Sequence, residues 1–430
     1  MSQPPPDWDI PKPRHRPIGK YLVLAVFCLL VAGPLATYGC RGERAKWMAA
    51  SALNLYESGN REAGLQELEA AVVESNYDPN LSAGLINLLA ENGKAEQGLE
   101  ISNKVLEIHR DPLYTINTTL SRSTCEHYLD RPRQALDTLK SVYDLVKPSE
   151  QSNDQRLNNL AYYRALADVE LPLAQAEIRE VILNQDKHAT WPIGYDLTFS
   201  ARTFVAIGMI ARQLGHPKDA LELLDREIDK LTELESREDR SLSESLYEAI
   251  QESFPLTRDE EERITGTQRM RLNRRRDCLA FLCVIRALIQ QDLGNDRQCD
   301  LDRMRIVKLG YQPDDLVKRL PTTLQCLASL DQAATYLDTQ GFVLLQLGEF
   351  GRARENLDLA IAAAEFNLRA VDSPLHNSNE EMSFAPQQRR PAYERTAAVL
   401  HYHRYQLYKR VGLIGVRDPD FEIPDDAGRI

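Results

Sequence analysis

Two histidines two positions apart, His401 and His403, and the triplet Cys125-Glu126-His127 are the residues whose types best suit metal binding or nucleophilic chemistry. Paired imidazoles can chelate zinc, and a thiolate beside an imidazole can attack a carbonyl. Their spacing argues against both uses. On a helix two positions turn a side chain by about 200°, so His401 and His403 point to opposite sides. Adjacent helical residues such as Cys125 and Glu126 do not face each other. The seven cysteines (Cys28, Cys40, Cys125, Cys278, Cys283, Cys299 and Cys326) form no CxxC pair and do not interleave with histidine at zinc spacing. The chain has no HExxH, no Gly-x-Ser-x-Gly, no phosphate-binding loop of the Walker type and no Rossmann fingerprint. Neither a catalytic centre nor a metal or cofactor is expected, and the cysteines read as small buried hydrophobes.

Recognition chemistry is better supplied. Arg202 and Arg212 can each hold a carboxylate in bidentate fashion, and asparagines such as Asn87 and Asn158 can meet both the N–H and the C=O of a bound backbone. A cluster of arginines (Arg269, Arg271, Arg274, Arg275, Arg276) follows the acidic run Asp259 to Glu262, which points to pairing within the segment. The formal charge of −12 over 430 residues argues against nucleic acid, whose phosphates need a basic surface. Asn80-x-Ser82 and Asn117-x-Thr119 match glycosylation acceptors.

The first 20 residues are basic and proline-rich, and residues 21–38 then run without a charge. That length at about 1.5 Å per residue suits a transmembrane anchor or the apolar core of a signal peptide. Basic residues are slightly more numerous before this segment than after it, which places the body beyond the membrane, in an extracytoplasmic setting.

The elements that must position these side chains show themselves as internal repeats. Leu337-x3-Gly341-x2-Leu344-x3-Gly348-x4-Ala353-x3-Leu357-x2-Ala360 matches Phe204-x3-Gly208-x2-Ala211-x3-Gly215-x4-Ala220-x3-Leu224-x2-Glu227. Gly59 and Gly93, and likewise Gly64 and Gly98, stand 34 residues apart, defining repeats over 45–78 and 79–112. A third follows near 116–149 with Asp130 at its turn. A fourth begins at Leu157 with Ala174, Ile178 and Val181 on its partner helix, and another centres on Gly294. Val399 to Val411 reads as one further first helix.

These positions resemble the tetratricopeptide repeat, in which small residues on a first helix let the second approach and a glycine closes the turn. The resemblance implies an all-α, right-handed superhelical solenoid. It would comprise repeats over 45–234, a charged helical insertion over 235–279, further repeats over 280–416 and an acidic tail over 417–430. It also implies a binding scaffold and not an enzyme, with a protein or peptide ligand held along the first helices. By this register the groove-facing residues include Lys46, Tyr56, Asn87, Asn158, Tyr162, Arg202 and Arg212. Cys283 and Cys299 fall on opposite helices of one repeat, where an exported body would allow them to pair.

Overall fold

A computed structural model describes residues 41–56, 58–145, 150–188, 197–251, 258–371, 373 and 386–412, and every regular element among them is helical. The described residues divide between a first unit ending at Leu129 and a second beginning at Asp130.

The first unit holds α1 (41–56), α2 (Arg61–Glu74), α3 (Pro79–Glu91), α4 (Ala95–Ile108) and α5 (Ile116–Tyr128). Helix starts follow local chemistry. The Asp78 side chain accepts from the N–H groups of Asn80 and Leu81 ahead of Pro79, satisfying donors that the first turn leaves free. Small residues set the hairpin spacing. A Cβ on Gly64 would stand 2.7 Å from Ala52 O and Tyr56 N, and one on Gly98 would stand 2.6 Å from Cys125 Sγ. The first helices run side by side and parallel. Tyr56, at the end of α1, accepts from Asn92 Nδ2 at the end of α3 (2.6 Å). Thr118 at the start of α5 donates to Pro79 O (3.0 Å), and Cys125 Sγ near its end lies 3.8 Å from Ile86 O.

The second unit holds α6 (Pro132–Tyr143), α7 (Glu150–Leu166), α8 (Leu171–His188), α9 (Phe199–Gln213), α10 (Pro217–Gln251), α11 (Arg258–Asp292) and α12 (Asp296–Lys308). The short α13 (Pro313–Val317) leads to α14 (Thr323–Gln346), α15 (Phe350–Val371) and α16 (Pro386–Arg410). The expected turn between α14 and α15 forms at Gly348, at φ +79°, with Glu349 N–H bonded to Leu344 O (2.9 Å), a conformation that costs glycine little. Asp130 takes the same role before α6 at φ +56°. Helix α15 continues to Val371.

The order of hairpins in space differs from their order in the chain. Helix α14 packs against α7 and α8 on one side and against α9 on the other, so the α14/α15 hairpin stands between α7/α8 and α9/α10. The Tyr162–Phe342 contact and the Gln175–Glu349 hydrogen bond (3.2 Å) show α14/α15 parallel to α7/α8. Contacts of Gln213 with Thr323 (3.0 Å) and of Phe199 with Tyr336 show α14 antiparallel to α9. Ion pairs Asp219–Arg369 (2.6 Å) and Lys230–Glu355 (2.7 Å) repeat that antiparallel register between α10 and α15. From α9 to α11 the direction is parallel again, with Thr198 against Cys278 and Arg212 against Asp292. Paired helices are as expected; a sequential superhelix through this unit is not, because the two hairpins with the most similar sequences meet head to tail.

The membrane-anchored, extracytoplasmic reading is corrected here. Among the described residues no helix is long and apolar enough to cross a membrane. The apolar runs of α14 and α15 are buried against neighbouring helices, and both helices carry charged residues elsewhere. The segment 21–38, expected to be a first hydrophobic helix, lies outside the described residues, as do the tails 1–20 and 417–430.

Candidate functional site

On α3 the exposed or half-buried residues Asn80, Gly84, Asn87 and Glu91 follow one another at helical spacing. On the parallel α1 the exposed residues beyond its first turn are Lys46, Trp47, Ala50, Leu53 and Asn54. Trp47 is 75% exposed and borders a depression of about 460 Å³ with Ala50, Ser51, Asn54, Leu55 and Ser58. Asn117 of α5 donates to Asn80 Oδ1 (2.7 Å), carrying the polar stripe across to the next first helix. Asn87 Oδ1 is buried and accepts no hydrogen bond. Lys46 is exposed and pairs with Glu43, one turn away (2.9 Å). Tyr56 is half-buried between α1, α2 and α3, with its hydroxyl spent on Asn92, so it acts in packing.

In the second unit the four expected groove residues are buried or committed to neighbouring helices. Tyr162 packs its ring on Phe342 (5.7 Å) and near His403 (5.9 Å). Arg202 is 5% exposed, lies over the Phe199 ring and donates to Gln185 O (2.5 Å). Gln185 in turn donates to Asp154 Oδ2 (2.8 Å). Asn158 is buried on the same α7 as Asp154, with Oδ1 unbonded. Arg212 does hold a carboxylate through two hydrogen bonds (2.6 and 3.1 Å), but the carboxylate is Asp292 of α11.

Sequence reasoning overlooked the buried polar pairs. His403 Nδ1 lies 2.7 Å from Asp338 Oδ1, and Asp338 hides in the spacer between Leu337 and Gly341. Arg286 bonds both oxygens of Asp302 (2.9 and 2.5 Å) and one of Asp225 (2.6 Å). Arg164 binds Glu177 (2.5 Å) and Glu170 (2.8 Å), joining α7 to α8. Burial pushes the Glu177 carboxyl above its ordinary range, against the pull of Arg164, whereas hydrogen bonds from Arg164 and Lys140 hold Glu170 below it. The two effects are consistent, because Glu177 is the more deeply enclosed. His401 faces Glu365 of α15 at 3.5 Å, so the two histidines address different helices, as their spacing requires.

The described cysteines, among them Cys283 and Cys299, are buried and form no disulfide. Burial pushes the thiols of Cys125, Cys283 and Cys326 up to about 12 and that of Cys278 up to about 11, well away from nucleophilic use. Among the described residues no group of three or more His, Cys, Asp and Glu side chains is placed to hold a metal ion. In the sequons Asn117 Nδ2 donates to Asn80 Oδ1, and Ser82 is fully buried.

No protein-family model matches the chain, and the curated proteins give no match. Among solved structures, Naa15/Naa10 bound to HypK-THB is similar at 13% identity and a TM-score of 0.23, covering 85% of this chain and 78% of that chain. Yeast Tom70 is similar at 13% identity and a TM-score of 0.20, covering 86% of this chain and 99% of that one. At these TM-scores the fold assignment rests on the helix hairpins themselves.

Proposed function

We propose that the chain is a non-catalytic protein-binding scaffold of tetratricopeptide-type hairpins, and that it holds an extended or helical peptide on the α1/α3/α5 face of its first unit. The observation that carries this reading is the parallel run of three first helices presenting Lys46, Trp47, Asn54, Asn80 and Asn87. An exposed tryptophan beside a depression is the kind of anchor that concentrates binding energy. The right-handed twist usual for such stacks belongs to this proposal and is confined to the first unit. In the second unit the equivalent polar residues serve internal contacts.

The test is affinity enrichment of the full chain from its source cells, comparing wild type with Trp47→Ala and Asn87→Ala. Each variant is checked by circular dichroism. The reading expects specific partners to be depleted about ten-fold or more by Trp47→Ala, the effect of losing an anchor of ~2 kcal/mol. Unchanged recovery with both variants contradicts it and leaves a structural spacer as the better account.

A further inference from the structure

The last described helix, α16, is attached in an unusual way. It packs on α14 and α15 and reaches Tyr162 of α7. Its buried stripe is Leu400, His403 and Leu407. Around that stripe stand three carboxylates: Asp338 of α14 opposite His403 (2.7 Å), Glu365 of α15 opposite His401 (3.5 Å) and Asp358 of α15 opposite Arg404 (3.7 Å). The floor is aromatic, because the Phe342 ring stacks on His403 at 4.4 Å and Tyr162 lies beside both. Arg410 closes the end of the helix on Gln346 Oε1 (2.6 Å).

Such a contact is specific in charge and incomplete in bonding. Buried Asp358 Oδ1 and Arg404 Nε have no hydrogen-bond partner, although they belong to residues that face each other. Asp358 also pairs with Arg354 (3.5 Å) and Arg404 reaches His401 (3.4 Å), so the unbonded atoms offset only part of the gain from apolar contact. The other side of α16 leaves Val399 and Tyr402 exposed, with no second neighbour packed there among the described residues.

We propose that α16 is a displaceable helix, and that the carboxylate-lined face it covers on α14 and α15 takes a basic amphipathic helix of a partner protein in its place. The partner supplies apolar residues at the spacing of Leu400, His403 and Leu407, with arginine, lysine or histidine opposite Asp338, Asp358 and Glu365. In its absence α16 occupies the face and lowers the apparent affinity by the fraction of time the face is covered. The inference concerns the second unit and stands independently of the peptide face on α1, α3 and α5.

The experiment uses a fluorescein-labelled peptide of residues 393–412 as the probe and reads its anisotropy against three full-length chains. These are wild type, Leu400→Ala with Leu407→Ala, and that double variant carrying Asp338→Asn. Loosening α16 is expected to tighten peptide binding roughly ten-fold relative to wild type. Asp338→Asn is expected to remove the gain. Hydrogen exchange on the loosened variant is expected to show lost protection in α16 with α14 and α15 still protected. Equal peptide binding to all three chains overturns the proposal. So does loss of protection in α14 and α15 together with α16, which makes α16 a fixed part of the core.

Discussion

The ring centroids of Tyr162 and Phe342 lie 5.7 Å apart, although the first belongs to α7 and the second to α14. This contact sets the α7/α8 and α14/α15 hairpins parallel, whereas Phe199 against Tyr336 sets α9 and α14 antiparallel. The chain therefore leaves the stack after α8, builds α9 to α12, and returns to fill the gap. A tyrosine expected to line a groove is one of the residues that joins the returning hairpin to the rest.

Tyr162→Ala is accordingly predicted to destabilise the protein by about 3 kcal/mol, the scale of removing an aromatic ring from packed surroundings. Trp47→Ala, at a 75% exposed site, should change stability by less than about 0.5 kcal/mol. Urea denaturation of the two variants separates a packing residue from a surface one.

Two glycine substitutions should act in opposite directions. Gly64→Ala places a Cβ 2.7 Å from backbone atoms of Ala52 and Tyr56, which cannot rotate away, so a loss of about 1–3 kcal/mol is expected. Gly84→Ala meets nothing within 4 Å in the middle of α3 and should stabilise by about 0.5–1 kcal/mol. Thermal unfolding of both variants reads the difference directly.

Arg286 bridges α11 to α12 and α10 through Asp302 and Asp225. Arg286→Ala leaves Asp302, at 2% side-chain exposure, as an uncompensated buried charge and should cost about 3–5 kcal/mol. The double variant Arg286→Met with Asp302→Leu should recover most of that loss. A double variant no better than the single one counts against this reading.

The thiols supply a pH dependence whose sign is fixed. Folding holds Cys125, Cys283 and Cys326 protonated up to about 12, above their ordinary value of 9.0. Their contribution to stability is complete below pH 9.0 and is lost as pH rises toward 12. At pH 8 these three cysteines should resist a maleimide for as long as the chain is folded and react fully in denaturant, as peptide mass mapping will show.

Much of the hairpin architecture is legible in the sequence because it depends on local geometry. Gly64 and Gly98 mark where helices approach, and Gly348 and Asp130 mark turns that need a positive φ. The order of hairpins is not legible in this way. Repeats that share Phe204/Leu337 and Gly208/Gly341 present similar surfaces, so self-similarity says which helices pair but not which hairpins become neighbours. That choice is made by long-range packing such as Tyr162 on Phe342 and Phe199 on Tyr336, which no spacing rule announces. The candidate site divides for the same reason. Lys46 is exposed and Asn87 half-buried, while Asn158 is buried, Arg202 bonds to Gln185 of α8 and Arg212 pairs with Asp292 of α11.

Zero-length carbodiimide cross-linking of the intact chain, read by peptide mass spectrometry, tests the inserted hairpin most directly. Lys230 Nζ stands 2.7 Å from Glu355 and 3.8 Å from Glu227 of its own helix. The account predicts an amide between Lys230 and Glu355, formed within one chain when labelled and unlabelled protein are mixed. A product joining Lys230 to Glu227 with none to Glu355 contradicts it and restores a hairpin array stacked in sequence order.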